Sequence, residues 1–345
     1  AVRRRVPSGR LYLARAYNDL YRFEEAIETY ETYISDLRKR KRSTEEAEQL
    51  LEKSKSNLRM LKGVEEVCFI DSFVVDKEKF LDAYKISPES GKLFMYDTYF
   101  NDSGKEGGTV YETELGNKLY YSEMQPDSTL SILSRNKLLD KWSDGSLLPG
   151  SINEAMNADY PYVLTDGITI YYASDGPGSM GGYDIFVTRY NTNTDSYLMP
   201  ENVGMPFNSP YNDYMMVFDE VKGLGWFVSD RFQPEGKACV YLFIPNPEHK
   251  RVESEDIEVK RARAAITTIR DSWKESSDYA DLIRLSHTEI PYGEKKIEKD
   301  FEFIIGNNIV YYKLDDINSP EAKGYYEKVV ALNKQIKELN EKLDG

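Results

Sequence analysis

The sequence predicts a mainly β protein with α-helical ends. From Val64 to about Val252, runs rich in Val, Ile, Tyr and Phe alternate with clusters of Gly, Pro, Asn and Asp, the punctuation of short strands. On either side of that zone, apolar residues recur at three- and four-residue steps, the period of a buried helix face. Within it, strands ending in serine recur at Ser122, Ser174 and Ser229, spacings of 52 and 55 residues. A chain of 345 residues has room for two domains, or for one large repetitive body with an appendage.

The first zone, 1–63, is helical. Leu11, Ala14, Tyr17, Leu20 and Tyr21 mark one helix, and Phe23, Ala26, Ile27, Tyr30, Tyr33, Ile34 and Leu37 a second. A third starts at Ser43 or Thr44, places Glu45 and Glu46 in its first turn, and ends at Gly63. This zone carries a balance of +5 and the remainder −19, so a basic head joins an acidic body. The second zone, 64–254, is the strand body. Residues 255–299 form a helical insertion, with a helix from about Ile257 to Arg284. Residues 300–316 supply a strand pair, Phe301–Ile305 and Ile309–Leu314, joined by Gly306-Asn307-Asn308. Residues 317–345 close the chain with an amphipathic helix, Pro320 to Leu343.

The body repeats in its connectors as well as its strands. Tyr162–Asp175 and Tyr214–Asp230 each read as strand, turn, strand, Ser-Asp, and Thr109–Ser122 is a third copy. Asn153 and Asp159-Tyr160 match Asn208 and Asp213-Tyr214. Further strands follow at Thr129–Ser134, Tyr183–Tyr190 and Ala238–Ile244. Units of three or four antiparallel strands at this period suit a small, four- or five-bladed β-propeller. Val67–Val75, Leu93–Tyr96 and Phe301–Leu314 are the pieces available to close the ring. A β-sandwich is the rival architecture.

The stretch from Ala173 through Gly176-Pro-Gly-Ser-Met-Gly-Gly182 to Tyr183-Asp-Ile-Phe186 resembles the hallmark loop of WD40-like, TolB-type propeller repeats of Gram-negative envelope proteins. Val203–Pro210 with Asp213-Tyr214, and Phe227–Arg231, are similar to the connector and following blade. Residues 12–37, with Ala14, Tyr17, Ala26 and Tyr30, resemble one tetratricopeptide repeat, giving TPR-like helices at the N-terminus. That combination implies a periplasmic or outer-membrane-associated scaffold, an accessory part of a secretion, transport or assembly complex. No peptidoglycan-binding module of the OmpA type is visible, and any lipid anchor lies outside this chain.

Composition narrows the chemistry. A net charge of −14 argues against a nucleic-acid binder, which needs a basic footprint. No run of 18 apolar residues is long enough to span a bilayer as a helix. Two cysteines, Cys68 and Cys239, and two histidines offer little for a zinc site or a histidine-based triad, and a disulfide between those cysteines stays open. The Gly176–Gly182 loop is followed by a strand, without the lysine and helix of a phosphate cradle, so its glycines read as turn residues. Asp175 and Asp184 read as acceptors for turn N–H groups, with a Ca²⁺ site as the alternative. Asp166, Asp213, Asp219 and Asp230 sit in turns that favour aspartate, and neither Ser174 nor Ser229 lies in a nucleophile elbow.

The expectation is therefore a non-catalytic scaffold with no cofactor and no metal, binding protein partners, with a glycan as the second class of ligand. The candidate contacts are the loop aromatics Tyr160, Tyr211 and Phe232, and the basic run Arg38, Lys39, Arg40, Lys41 and Arg42, with Arg3, Arg4 and Arg5 in support. The alternatives are a glycan-binding surface module and a hydrolase with two facing carboxylates. A seam of Val329, Leu332, Ile336, Leu339 and Leu343 offers a docking stripe at the end of the chain.

Overall fold

A computed structural model of the chain describes residues 7–101, 104–138, 141–154, 157–274, 277–289, 303–305, 309–311, 319, 322–326 and 328. It divides into two compact units, residues 1–291 and 292–345.

The first unit opens with α1 (Pro7–Asp19), α2 (Phe23–Lys39) and α3 (Glu45–Lys62). In α2 the buried residues Phe23, Ala26, Tyr30, Ile34 and Leu37 step by three and four, so one stripe faces the core. Glu24 and Glu25 in its first turn, and Arg38 and Lys39 in its last, complement the helix dipole. Ala14, Ala26, Tyr30, Ile34, Leu37, Ala47 and Leu51 form the core of the three helices. A second cluster joins the helices to the body: Tyr21, Phe23 and Leu61 pack with Val64, Met180, Met205, Val252 and Ala264.

The strand body runs β1 (Cys68–Asp76), β2 (Lys92–Met95), α4 (Tyr96–Phe100), β3 (Gly107–Glu112), β4 (Lys118–Met124), β5 (Leu130–Leu138), β6 (Lys141–Trp142), β7 (Ser146–Leu147), α5 (Gly150–Asn153), β8 (Ala158–Val163), β9 (Thr169–Ser174), β10 (Asp184–Asn191), β11 (Ser196–Tyr197), β12 (Glu201–Asn202), β13 (Val217–Asp219), β14 (Leu224–Ser229) and β15 (Lys237–Ile244). These make three antiparallel sheets. The first has the order β2-β3-β4-β5-β6 with β7 on β5, and the second β11-β10-β9-β8 with β12 on β10. The third is β1-β15-β14-β13. In β4, β9 and β14 both faces are largely covered, which is why these strands lack an alternating polar face. The unit ends with α6 (Ile257–Ala265) and α7 (Ala280–Ser286).

The repeated connectors have a physical basis. Asn208 accepts the Ile185 N–H at 2.7 Å and donates to the Ile185 carbonyl at 2.8 Å. Asn153 does the same to Ile132, at 2.8 and 3.0 Å. Each asparagine takes the place of a neighbouring strand, satisfying backbone groups the sheet leaves unpaired. Asn157 donates twice to Asp175, and Asn212 donates twice to Asp230 in the same way. Asp159 accepts from Thr109 and Ser122, and Asp213 from Ser209 and Arg231.

Several expectations are corrected. The strand body holds three open sheets, and the described residues form no closed ring, so the four- or five-bladed propeller and the TolB-type resemblance are not upheld. The local repeat is real in its hydrogen bonds, but it does not extend to a fourth sheet. The strand pair expected to complete one, β16 (Phe303–Ile305) and β17 (Ile309–Tyr311), belongs to the second unit and forms a two-stranded sheet of its own. The strand completing the third sheet is β1, paired with β15 from Cys68↔Ile244 to Asp76↔Lys237. The tetratricopeptide resemblance falls as well. Among the described residues the three N-terminal helices do not form the expected helical repeat, and Tyr12 and Leu13 of α1, with Leu20 just after it, stay exposed. Both cysteines are free. Cys68 pairs in register with Ile244 while Cys239 pairs with Val74, about 20 Å away along the strand at the usual rise per residue.

In the second unit, residues 322–326 and 328 are helical. The seam Val329, Leu332, Ile336, Leu339 and Leu343, the turn Gly306-Asn307-Asn308, and Arg3, Arg4 and Arg5 lie outside the described residues. No helix among the described residues is long and apolar enough to cross a membrane.

Candidate functional site

Among the described residues, a groove lies where the α1–α2 corner meets α6, up to its C-terminal turn, and the loop after β14. Its apolar lining is Leu20, Tyr21, Phe232, Ala262, Ala265 and Ile266, and its volume is about 380 Å³. Leu20 is 53% exposed and Phe232 50%, so two large apolar side chains of the lining stand open to solvent. The Phe232 ring lies 6.2 Å from that of Tyr21 and 5.2 Å from that of Tyr211.

Three of those residues have left-handed backbones: Tyr21 at φ 59°, Phe232 at φ 58° and Ile266 at φ 50°. Bulky L-residues avoid this region because Cβ crowds the following carbonyl, and a β-branched residue such as isoleucine avoids it most. Each position is held by its surroundings. Tyr21 ends the turn after α1, where Arg22 N–H donates to Tyr17 O at 2.8 Å. Ile266 closes α6, its N–H donating to Arg263 O and the next, from Thr267, to Ala262 O. Phe232 follows Arg231, which is completely buried.

Arg231, next to Phe232 in the chain, anchors the segments around the groove. It forms an ion pair with Asp213 at 2.7 Å, both side chains having no exposure. It also donates to the carbonyls of Pro206, Phe207 and Ala264 at 2.8, 2.6 and 3.2 Å, tying β14, the 204–209 connector and α6 together. Beside it, the Tyr21 hydroxyl is buried, and burial raises its pKa well beyond the usual phenol range, against the pull of Arg231 and of Ser209. At the rim, Arg261 donates to the Tyr21 carbonyl at 3.0 Å and pairs with Glu258 and Glu24, pinning α6 to the helical head.

The glycine-rich loop does different work. Met180 and Gly181 N–H donate to Asp184 at 2.8 and 3.0 Å, and Asn202 adds a third bond at 2.7 Å. Burial, then the neighbouring Asp213, pushes Asp184 up to about 7 against those bonds. Lys53 of α3 donates to the Gly181 carbonyl at 2.6 Å, and its own pKa is lowered by burial. A Cβ on Gly181 would fall 1.8 Å from the Tyr211 carbonyl, so glycine is required by close approach. The loop seats the helical head rather than cradling a ligand. Among the described residues no cluster of three His, Cys, Asp or Glu side chains is disposed to hold a metal ion.

The residues singled out from sequence do not form one site. Phe232 and Tyr211 meet at the groove. Tyr160, also left-handed at φ 58°, packs instead against Phe80, Tyr183 and Tyr214 at 5.8, 5.9 and 5.4 Å. Arg38 and Lys39 end α2, and Arg40, Lys41 and Arg42 lie on the exposed turn that follows it. Leu20, Ile266 and α6 were not anticipated as site residues. The apolar period of the first helix was the only sequence signal for Leu20, and none marks Ile266.

The chain matches no protein-family model, no curated protein and no solved structure.

Proposed function

We propose that this protein is a non-catalytic scaffold that recruits a protein partner through the groove, the partner inserting an apolar side chain between Leu20 and Phe232. The observation that carries this reading is the convergence of Tyr21, Phe232 and Ile266 in left-handed backbones around one open apolar surface. Each such conformation costs on the order of 1–3 kcal/mol and persists where the surrounding structure enforces it, a pattern concentrated at binding sites. Exposed aromatic and aliphatic anchors in a preformed concavity are the usual centres of protein interfaces.

A glycan reading is weaker. The Tyr211 and Phe232 rings meet at 61°, not as the flat platform on which a sugar stacks, and Tyr160 is turned into a separate cluster. For the hydrolase alternative, Asp213 is engaged by Arg231 and Asp230 by Asn212, Tyr214 and Lys77. With the resemblance overturned, the envelope setting it implied carries no weight in this reading.

The test is affinity capture from a native extract with the intact chain, Leu20→Glu, Phe232→Gly, and Leu147→Glu as a control at another exposed leucine. Leu20→Glu and Phe232→Gly are expected to lose the same partner, and Leu147→Glu to keep it. Retention of every partner by both groove variants would sink the proposal. Deleting 1–63 is a poor substitute, since it uncovers Met180, Met205 and Ala264.

A further inference from the structure

The turn between α2 and α3 carries a second surface, independent of the groove. Arg38, Lys39, Arg40, Lys41 and Arg42 are all exposed. Among the described residues Arg38 alone of the five has a carboxylate partner, Glu48 at 2.7 Å. The helix dipole accounts for Arg38 and Lys39, which lie in the last turn of α2. It does not account for the next three.

The helix ends in a Schellman pattern. Arg42 N–H donates to Leu37 O and Lys41 N–H to Arg38 O, each at 3.0 Å. Lys41 is the left-handed residue of that pattern, at φ 54°. Helices favour glycine there, because it has no Cβ to crowd, and an apolar residue at the next position, to cover the last turn. This helix has lysine and arginine at those two places. Local stability is set aside twice, in favour of positive charge that no described carboxylate pairs at residues 39–42.

The chemistry of the cap selects its occupant. The positive charge is confined to five residues at one helix end within a chain of net charge −14, which suits a short acidic segment, whereas a nucleic-acid surface spreads its cations along an extended backbone. No large exposed apolar side chain flanks the run between residues 33 and 48, so it lacks the wedge by which surface helices enter a lipid interface. Guanidinium and ammonium groups on a rigid turn are suited to carboxylates. We propose that the basic cap of α2 docks an Asp- and Glu-rich segment of a partner protein.

The experiment measures binding of a fluorescent decaglutamate peptide to the intact chain by anisotropy. Binding is expected at 50 mM salt and should weaken about tenfold or more at 300 mM, as screening shortens the reach of each charge. Lys41→Gly should raise Tm by roughly 2 °C by relieving the turn, yet weaken the peptide about threefold. Lys41→Arg should leave affinity unchanged, and the triple variant Arg40→Glu, Lys41→Glu, Arg42→Glu should lose binding. Unchanged affinity in Lys41→Gly overturns the proposal. So does a chain that ignores the peptide but binds phosphatidylserine vesicles or duplex DNA.

Discussion

Replacing Asp213 with alanine tests whether the buried ion pair holds the groove together. Asp213 and Arg231 are fully buried and 2.7 Å apart. Removing one partner of such a pair typically costs about 3–5 kcal/mol, because the other charge is left without its counter-ion in a low-dielectric site. Here the guanidinium keeps the carbonyls of Pro206, Phe207 and Ala264, which partly compensate and place the expected loss near the lower end, about 3 kcal/mol. For a unit of this size that is a fall in Tm of roughly 6 °C. Urea unfolding supplies the free energy, and hydrogen exchange at 204–209 and 262–266 shows where the loss falls. The double variant Asp213→Ala, Arg231→Met removes both charges, and should be less destabilised than the sum of the single changes by about 2 kcal/mol. If Asp213→Ala costs under about 1 kcal/mol, or if the two changes add within about 0.5 kcal/mol, the pair is not the fastener described.

Two further outcomes follow from the same framework. Asp184 has a folded-state pKa of about 7, above its unfolded value, so the native state holds this proton more tightly than the unfolded chain. Its ionisation therefore costs stability above pH 7, and the cost disappears as pH falls from 7 towards 4. At about 1.4 kcal/mol per unit this amounts to a few kcal/mol, and Asp184→Asn should remove that part of the pH dependence in urea midpoints taken between pH 5 and 8. If the variant and the parent change in parallel over that range, the assignment is wrong. Asn208→Ala should be more damaging than Asn153→Ala, by about 1 kcal/mol, because each makes three side-chain hydrogen bonds but Asn208 is completely buried while Asn153 is half-buried. Equal thermal shifts in the two variants would remove the basis for that ranking.

Most of the local structure could be read from the chain. The helix limits follow from Thr44, Gly63 and the apolar stripe of α2, and the repeat from Asn153 and Asn208 with Asp159 and Asp213. These signals are local, and each has a short-range cause: a cap, a period, or a side chain satisfying nearby backbone. Pairing between distant strands has no such cause. Residues 68–76 and 301–314 present similar alternation, and only packing decides that β1 lies against β15. The resemblance failed for a related reason, since loops with Gly-Gly-Tyr-Asp encode a turn and not the number of sheets around it. The groove was half visible. Phe232 stands out as a loop aromatic, but Tyr21, Phe232 and Ile266 come from three remote segments, and nothing in composition signals a left-handed tyrosine or isoleucine.

The pairing of β1 with β15 also bears on how the molecule is made. At the usual pace of about 5–20 residues per second, β1 leaves the ribosome some 10–30 seconds before the strand it must join, with roughly 160 residues intervening. Until then residues 68–76 lack the one strand with which they pair among the described residues. A product cut before residue 76 would present β15 as a bare edge, an invitation to associate with other chains. The nascent polypeptide thus has to keep an early segment in reserve, and its vulnerable interval ends only when residue 244 has emerged.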